Sequence, residues 1–184
     1  AGAAIERFAR RQADLLDRVA DDASEQIVGH DADEWLAEAR TLSNSAGDVD
    51  RLLRQAAENR RLNPRALSTT DTGPDLRYGL GALEHSAVAL RAVYRSIADR
   101  VRDQAEGEQR YPAEVRAGLA LTLRGVGRAL RAFGALVWAE ADGRPADSRD
   151  LSQALAVARD EAAGLSRLMA VDPNEDRALW ELNG

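Results

Sequence analysis

The sequence predicts an all-α protein, an elongated up-down bundle of five long helices. Three observations carry this. Apolar residues recur at alternating spacings of four and three in five separate segments. The breaks between those segments are polar and hold Gly or Pro. No run of four β-branched residues occurs, and no Asn-Gly turn joins two alternating runs, so strand signals are missing.

The first segment places Ile5, Phe8, Leu15, Leu16, Val19 and Ile27 on one face and reads as stopping at Gly29, a favourable helix C-terminal residue. Gly29 with His30 then marks a tight turn. Asp31 or Asp33 caps the second segment, whose stripe is Trp35, Ala39, Leu42, Ala46, Val49, Leu53 and Ala56; Pro64 ends it. The third carries the most regular stripe: Leu76, Leu80, Leu83, Ala87, Leu90, Tyr94, Ile97 and Val101. The fourth follows Pro112 with Leu119, Leu123, Val126, Leu130, Phe133 and Val137. Its glycines, Gly118, Gly125, Gly127 and Gly134, read as one smooth side of a tightly packed central helix. The fifth follows Pro145 with Leu151, Leu155, Ala158, Ala162, Leu165 and Met169. Pro173 leaves room for a short C-terminal helix presenting Leu179 and Trp180. Four-three spacing sustained over whole helices favours shallow crossing angles, as in bundles. The three long polar stretches, Arg65–Pro74, Asp103–Pro112 and Ala141–Ser148, read as loops.

At 184 residues the chain suits a single domain, 1–184. Apolar residues make up 45%, charged residues 30% and aromatics only 4%, so the core must come from Leu, Val and Ala. There is no cysteine, which excludes disulfides, thiolate zinc sites, Fe–S clusters and thiol catalysis. All 25 basic residues are Arg. The net charge of -6 argues against nucleic acid as a partner, because phosphate binding needs a positive face. No uncharged run approaches the roughly 20 residues a membrane-spanning helix needs.

Glu84 and His85 sit in the middle of the third segment, off its stripe. Adjacent helical residues point about 100° apart, so the two cannot chelate one metal together. A di-iron bundle would need Glu-x-x-His on two helices, and none occurs. The pair reads as an interface or pocket detail, with Tyr94 as the nearest further candidate. Asp17, Asp21 and Glu25 form an acidic ladder of the kind a PhoU-like metal-binding bundle uses for a hard cation. Arg10, Asp14, Arg18 and Asp22 alternate in sign beside it, as a solvated helix surface does. Arg60, Arg61 and Arg65 crowd the end of the second segment, where cations favour the helix dipole. Their functional reading is contact with anionic headgroups at a membrane surface or with an acidic partner. No nucleophile motif, phosphate loop or metal-ligand spacing is present, so no catalytic, cofactor or metal residues are assigned.

"RRQADLLDRVADD" (10–22), "WLAEARTL" (35–42), "RLLRQAAENRRLNPR" (51–65), "ALEHSAVALRAVYRSIAD" (82–99) and "LRAFGALVWAEA" (130–141) together resemble the cytoplasmic helical region of actinobacterial FUSC-family proteins. That family includes aromatic acid exporters and relatives of fusaric-acid-resistance proteins. The resemblance implies a domain excised from a longer membrane protein, held on the cytoplasmic side of the membrane. Its partner would be the transmembrane part of the same polypeptide, with a homo-oligomer as a further arrangement. It implies an assembly or regulatory role and carries no catalytic residue onto this chain. A free-standing ligand-binding or signalling bundle, with a pocket near His85 and Tyr94, is the alternative. A PhoU-like metal binder is the second.

Overall fold

A computed structural model of the chain describes residues 1–25, 29–62, 73–103 and 111–170, the side chains of residues 60, 61, 100 and 103 excepted. Five helices run in order: α1 (Gly2–Glu25), α2 (Gly29–Arg61), α3 (Gly73–Asp103), α4 (Ala113–Ala141) and α5 (Arg149–Met169). No strand occurs among the described residues. The 33 residues of α2 span about 50 Å at 1.5 Å each, so the bundle is elongated.

Cross-helix contacts fix the directions. Trp35 Nε1 donates to Asp22 Oδ2 at 3.0 Å, and Arg18 pairs with Glu38, so α1 and α2 are antiparallel. Ser43 meets the Ala87 carbonyl, and Asp33 pairs with Arg102, so α2 and α3 are antiparallel. Gly79 of α3 abuts Val137 of α4, while Gly125 of α4 abuts Ala158 of α5. The result is an up-down four-helix bundle of α1 to α4. On its outside lies α5, which among the described helices packs on α4 alone.

The stripes become the core. In α3, Leu76, Leu80, Leu83, Ala87, Tyr94, Ile97 and Val101 are buried, and Leu90 is partly buried against them. In α2 the stripe is buried from Trp35 to Leu53, whereas Ala56 is exposed. Burial is greatest in α1. Besides Ile5, Phe8, Leu15, Leu16 and Val19, it encloses Ala4, Ala9, Ala13, Ala20 and Ala23. Small residues there let α4 approach closely.

Two readings from sequence are corrected. Gly29 opens α2 rather than stopping α1, which ends at Glu25; Ile27 lies outside the described residues. The α4 glycines do not form one side. Gly118 and Gly125 face α5, whereas Gly127 and Gly134 face α1. From Gly118 to Gly127 is nine residues, about 900° at 3.6 residues per turn, which places the two pairs on opposite faces. The helix is thereby sandwiched between α1 and α5.

The turn from α4 into α5 is closed by its own backbone. Gly143 N donates to Glu140 O at 3.2 Å and Arg144 N to Ala139 O at 2.9 Å, the two bonds of a Schellman motif. That motif needs a left-handed residue, and Gly143 has φ 66°. Arg144 then lies over the Trp138 ring, 4.2 Å from its centroid. The stretch 65–72, most of 103–112, and the segment from Pro173 with Leu179 and Trp180 lie outside the described residues.

Candidate functional site

Because α5 touches only α4, it stands off from α3 and leaves a groove between them. Ala92, Val93, Ser96 and Ile97 form the α3 wall, and Val115 and Leu119 of α4 the floor. Leu165 and Met169 of α5 form the other wall, and Tyr111 closes one end. The groove holds about 420 Å³, within the size range of pockets that take small molecules. It is apolar, with the Ser96 hydroxyl as one of its few polar groups. Val93 is 42% exposed and Met169 57% exposed, so large apolar side chains meet water along its rim. Isolated exposed apolar residues are ordinary; several gathered around one concavity mark a surface suited to binding.

Glu84 and His85 are elsewhere. Glu84 is partly buried, and His85 is exposed with Nδ1 2.7 Å from its own helix's Gly81 carbonyl. A ring N–H donated to that carbonyl leaves Nε2 facing outward. Neither residue lines the groove. Tyr94 is on the α3 stripe and fully buried, facing away from the groove into the bundle. His85 and Tyr94, nine residues apart on α3, thus face opposite sides of the helix, one exposed and one buried. The backbone of Arg60 and Arg61 ends α2, but their side chains and all of Arg65 lie outside the description.

Tyr94 belongs to a small polar island in the core. Gln12 of α1 is 1% exposed and its Nε2 donates to the Leu83 carbonyl of α3 at 3.2 Å. Its Oε1 and the Tyr94 hydroxyl are both buried without a protein partner. Burial, and secondarily the charge of Glu38, push the Tyr94 phenol well above the ordinary tyrosine value, with Arg18 pulling the other way.

The charged ladders of α1 are joined to other helices. Asp14 and Asp17 both accept from Arg131 Nη2, at 2.6 and 2.7 Å, and Asp21 accepts from Arg124 at 2.6 Å. For Arg131, partial burial opposes the charge, but the hydrogen bonds it donates to Asp14 and Asp17 outweigh that and raise its pKa. The alternating-sign row is likewise a seam: Arg18 reaches Glu38 and Asp22 reaches Trp35. It is not simply a solvated face. Among the described residues no group of three or more His, Asp or Glu side chains is gathered so as to hold a metal ion. Among the same residues, no helix is long and apolar enough to cross a membrane.

Sequence reasoning missed the groove. Val93 and Ser96 fall off the α3 stripe, and Leu165 and Met169 read as core positions of the fifth helix. The available signal was the off-stripe apolar row Ala89, Ala92 and Val93. Comparison of the chain with protein-family models, with curated proteins and with solved structures finds no match.

Proposed function

We propose that this chain is an accessory domain without catalysis of its own, and that it works by helix–helix assembly with the membrane-embedded part of a FUSC-like exporter. The observation that supports this reading is the apolar groove between α3, α4 and α5. Its two walls stand apart on a floor supplied by α4, which is the form of a helix-receiving site. Each large apolar side chain a partner helix buried there would contribute roughly 1.5–3 kcal/mol. Two or three such anchors offset the cost of association only in part, which suits a tethered partner whose local concentration is high. The family resemblance supplies the tether, and the groove supplies the contact.

The absence of cysteine makes a direct test clean. Single cysteines at Val93 and Met169 probe the groove, and one at exposed Asn44 on α2 serves as the control. In membranes carrying the full gene product, groove cysteines cross-link to cysteines scanned through the transmembrane helices, and the control does not. Cross-linking that is absent from the groove, or equal at all three positions, would overturn the assembly reading.

The groove volume favours one other reading, a ligand-binding bundle whose site is this groove rather than the His85 region. Thermal shifts against a panel of aromatic acids decide it: stabilisation that Val93→Arg abolishes supports a small-molecule site, and no stabilisation removes it.

A further inference from the structure

The geometry points to a binding site for one water molecule inside the bundle, held between Gln12 Oε1 of α1 and the Tyr94 hydroxyl of α3. Both groups line one small cavity, with Leu15, Ala39, Leu42, Ala87 and Leu90 as its apolar remainder. The cavity holds about 10 Å³. A water needs roughly 10–15 Å³ by this measure, so one molecule fits and nothing larger does.

The hydrogen-bond chemistry is complementary. Gln12 has its amide orientation fixed, because Nε2 must face the Leu83 carbonyl; reversal would set two acceptors against each other. Oε1 is therefore the atom left without a partner on a residue that lines the cavity, and it only accepts. Tyr94 stays protonated in its buried setting, so its hydroxyl donates one hydrogen bond and accepts others. A water between them donates to Oε1 and accepts from the phenol. Both groups are otherwise buried and unpaired, a costly arrangement that native interiors generally avoid.

The site also has a structural consequence. Gln12 and Tyr94 come from parallel neighbours, α1 and α3. The Leu83 carbonyl and the water together fix α1 to α3 at two heights along one face. A slip of one turn, about 5.4 Å, would break both links at once. The Arg18–Glu38 pair, whose charges both act on Tyr94, joins α1 to α2 beside this site.

A crystal structure of the chain at a resolution that orders buried water tests this directly. The expected result is a water within hydrogen-bonding distance of both Gln12 Oε1 and Tyr94 Oη. A dry cavity, or a direct Gln12–Tyr94 hydrogen bond, overturns the proposal. Thermal unfolding gives an independent sign. With the water bridge present, Tyr94→Phe and Gln12→Met each lower Tm, and the double variant loses less than the sum of the two. If the hydroxyl is unpaired, Tyr94→Phe raises Tm, because it removes a buried polar group that has no partner.

Discussion

Gly134 of α4 and Ala9 of α1 meet so closely that a methyl group on Gly134 would lie 2.7 Å from the Ala9 Cβ. The same methyl would reach 3.3 Å from the Glu6 Cα, so backbone as well as side chain blocks it. Gly134→Ala should therefore destabilise the bundle. Overpacking costs about 1–3 kcal/mol, offset by about 1 kcal/mol of helix propensity. Gly47 and Gly81 have open space where a Cβ would sit. Alanine there should stabilise by roughly 0.5–1 kcal/mol. Urea unfolding of the three variants checks the contrast, and a stabilised Gly134→Ala would show that α1 and α4 do not approach as described.

Gly125 performs the same service on the opposite face. A methyl there would lie 3.1 Å from the Ala158 Cα, so the obstacle is the α5 backbone and cannot rotate aside. Since α5 leans on no other of the described helices, Gly125→Leu should lift it from α4 and leave the four-helix core intact. Amide hydrogen exchange reads this locally: α5 loses protection by tenfold or more, and α1 and α3 keep theirs. Equal loss in all helices would mean that α5 is integral to the core.

Arg131 holds two carboxylates of α1 at once, Asp14 and Asp17, directly over Gly127, where a Cβ would come 3.2 Å from Asp17 Oδ1. The three side chains are each more than a third exposed, so water and salt screen the cluster. Arg131→Met should cost only roughly 0.5–1 kcal/mol at low ionic strength. The loss should shrink towards zero in 1 M salt, where the Debye length is about 3 Å. A cost that salt leaves unchanged would mean that the charge pairing with Asp14 and Asp17 is not what Arg131 contributes.

How much of this could be read from the chain alone depends on what each feature is made of. The α3 stripe was legible because every position of it except Ala87 is a large apolar or aromatic residue and burial follows hydropathy. The enclosure of α1 was less so, since much of it rests on Ala4, Ala9, Ala13, Ala20 and Ala23, whose small side chains barely register as hydrophobic. The opposed glycine pairs of α4 were present in the arithmetic, but four glycines in seventeen residues look like one surface until the nine-residue offset is resolved. The ion pairs Arg131–Asp14 and Arg124–Asp21 join residues more than a hundred positions apart, and one-dimensional charge patterning shows only their helix-local neighbours. The groove is a gap among three helices, and no periodicity within any one of them encodes it. Gln12 is the least legible of all: a lone glutamine among charged residues reads as surface, and only the assembled bundle buries it.

The final prediction concerns alkaline pH, where this sequence offers an unusually clear window. With no Lys and no Cys, the only side chains that ordinarily titrate between about pH 9 and 11.5 are its three tyrosines, because Arg remains charged. Tyr94 is held protonated by burial first and by Glu38 second, with Arg18 opposing. Its folded pKa therefore lies above its unfolded value of about 10. At pH values above 10 the unfolded chain releases the Tyr94 proton and the folded chain keeps it, so rising pH draws the equilibrium towards unfolding. The Tyr94 contribution is fully present below pH 10. Above that it is lost at up to roughly 1.4 kcal/mol per pH unit. Urea unfolding of the native chain and of Tyr94→Phe, from pH 9 to 11.5, isolates this share, because Tyr78 and Tyr111 contribute equally to both curves. The two stability profiles should run parallel below pH 10 and diverge above it, the native chain falling faster. Profiles that stay parallel throughout would mean that the folded bundle releases the Tyr94 proton as readily as the open chain, and that the phenol is not enclosed.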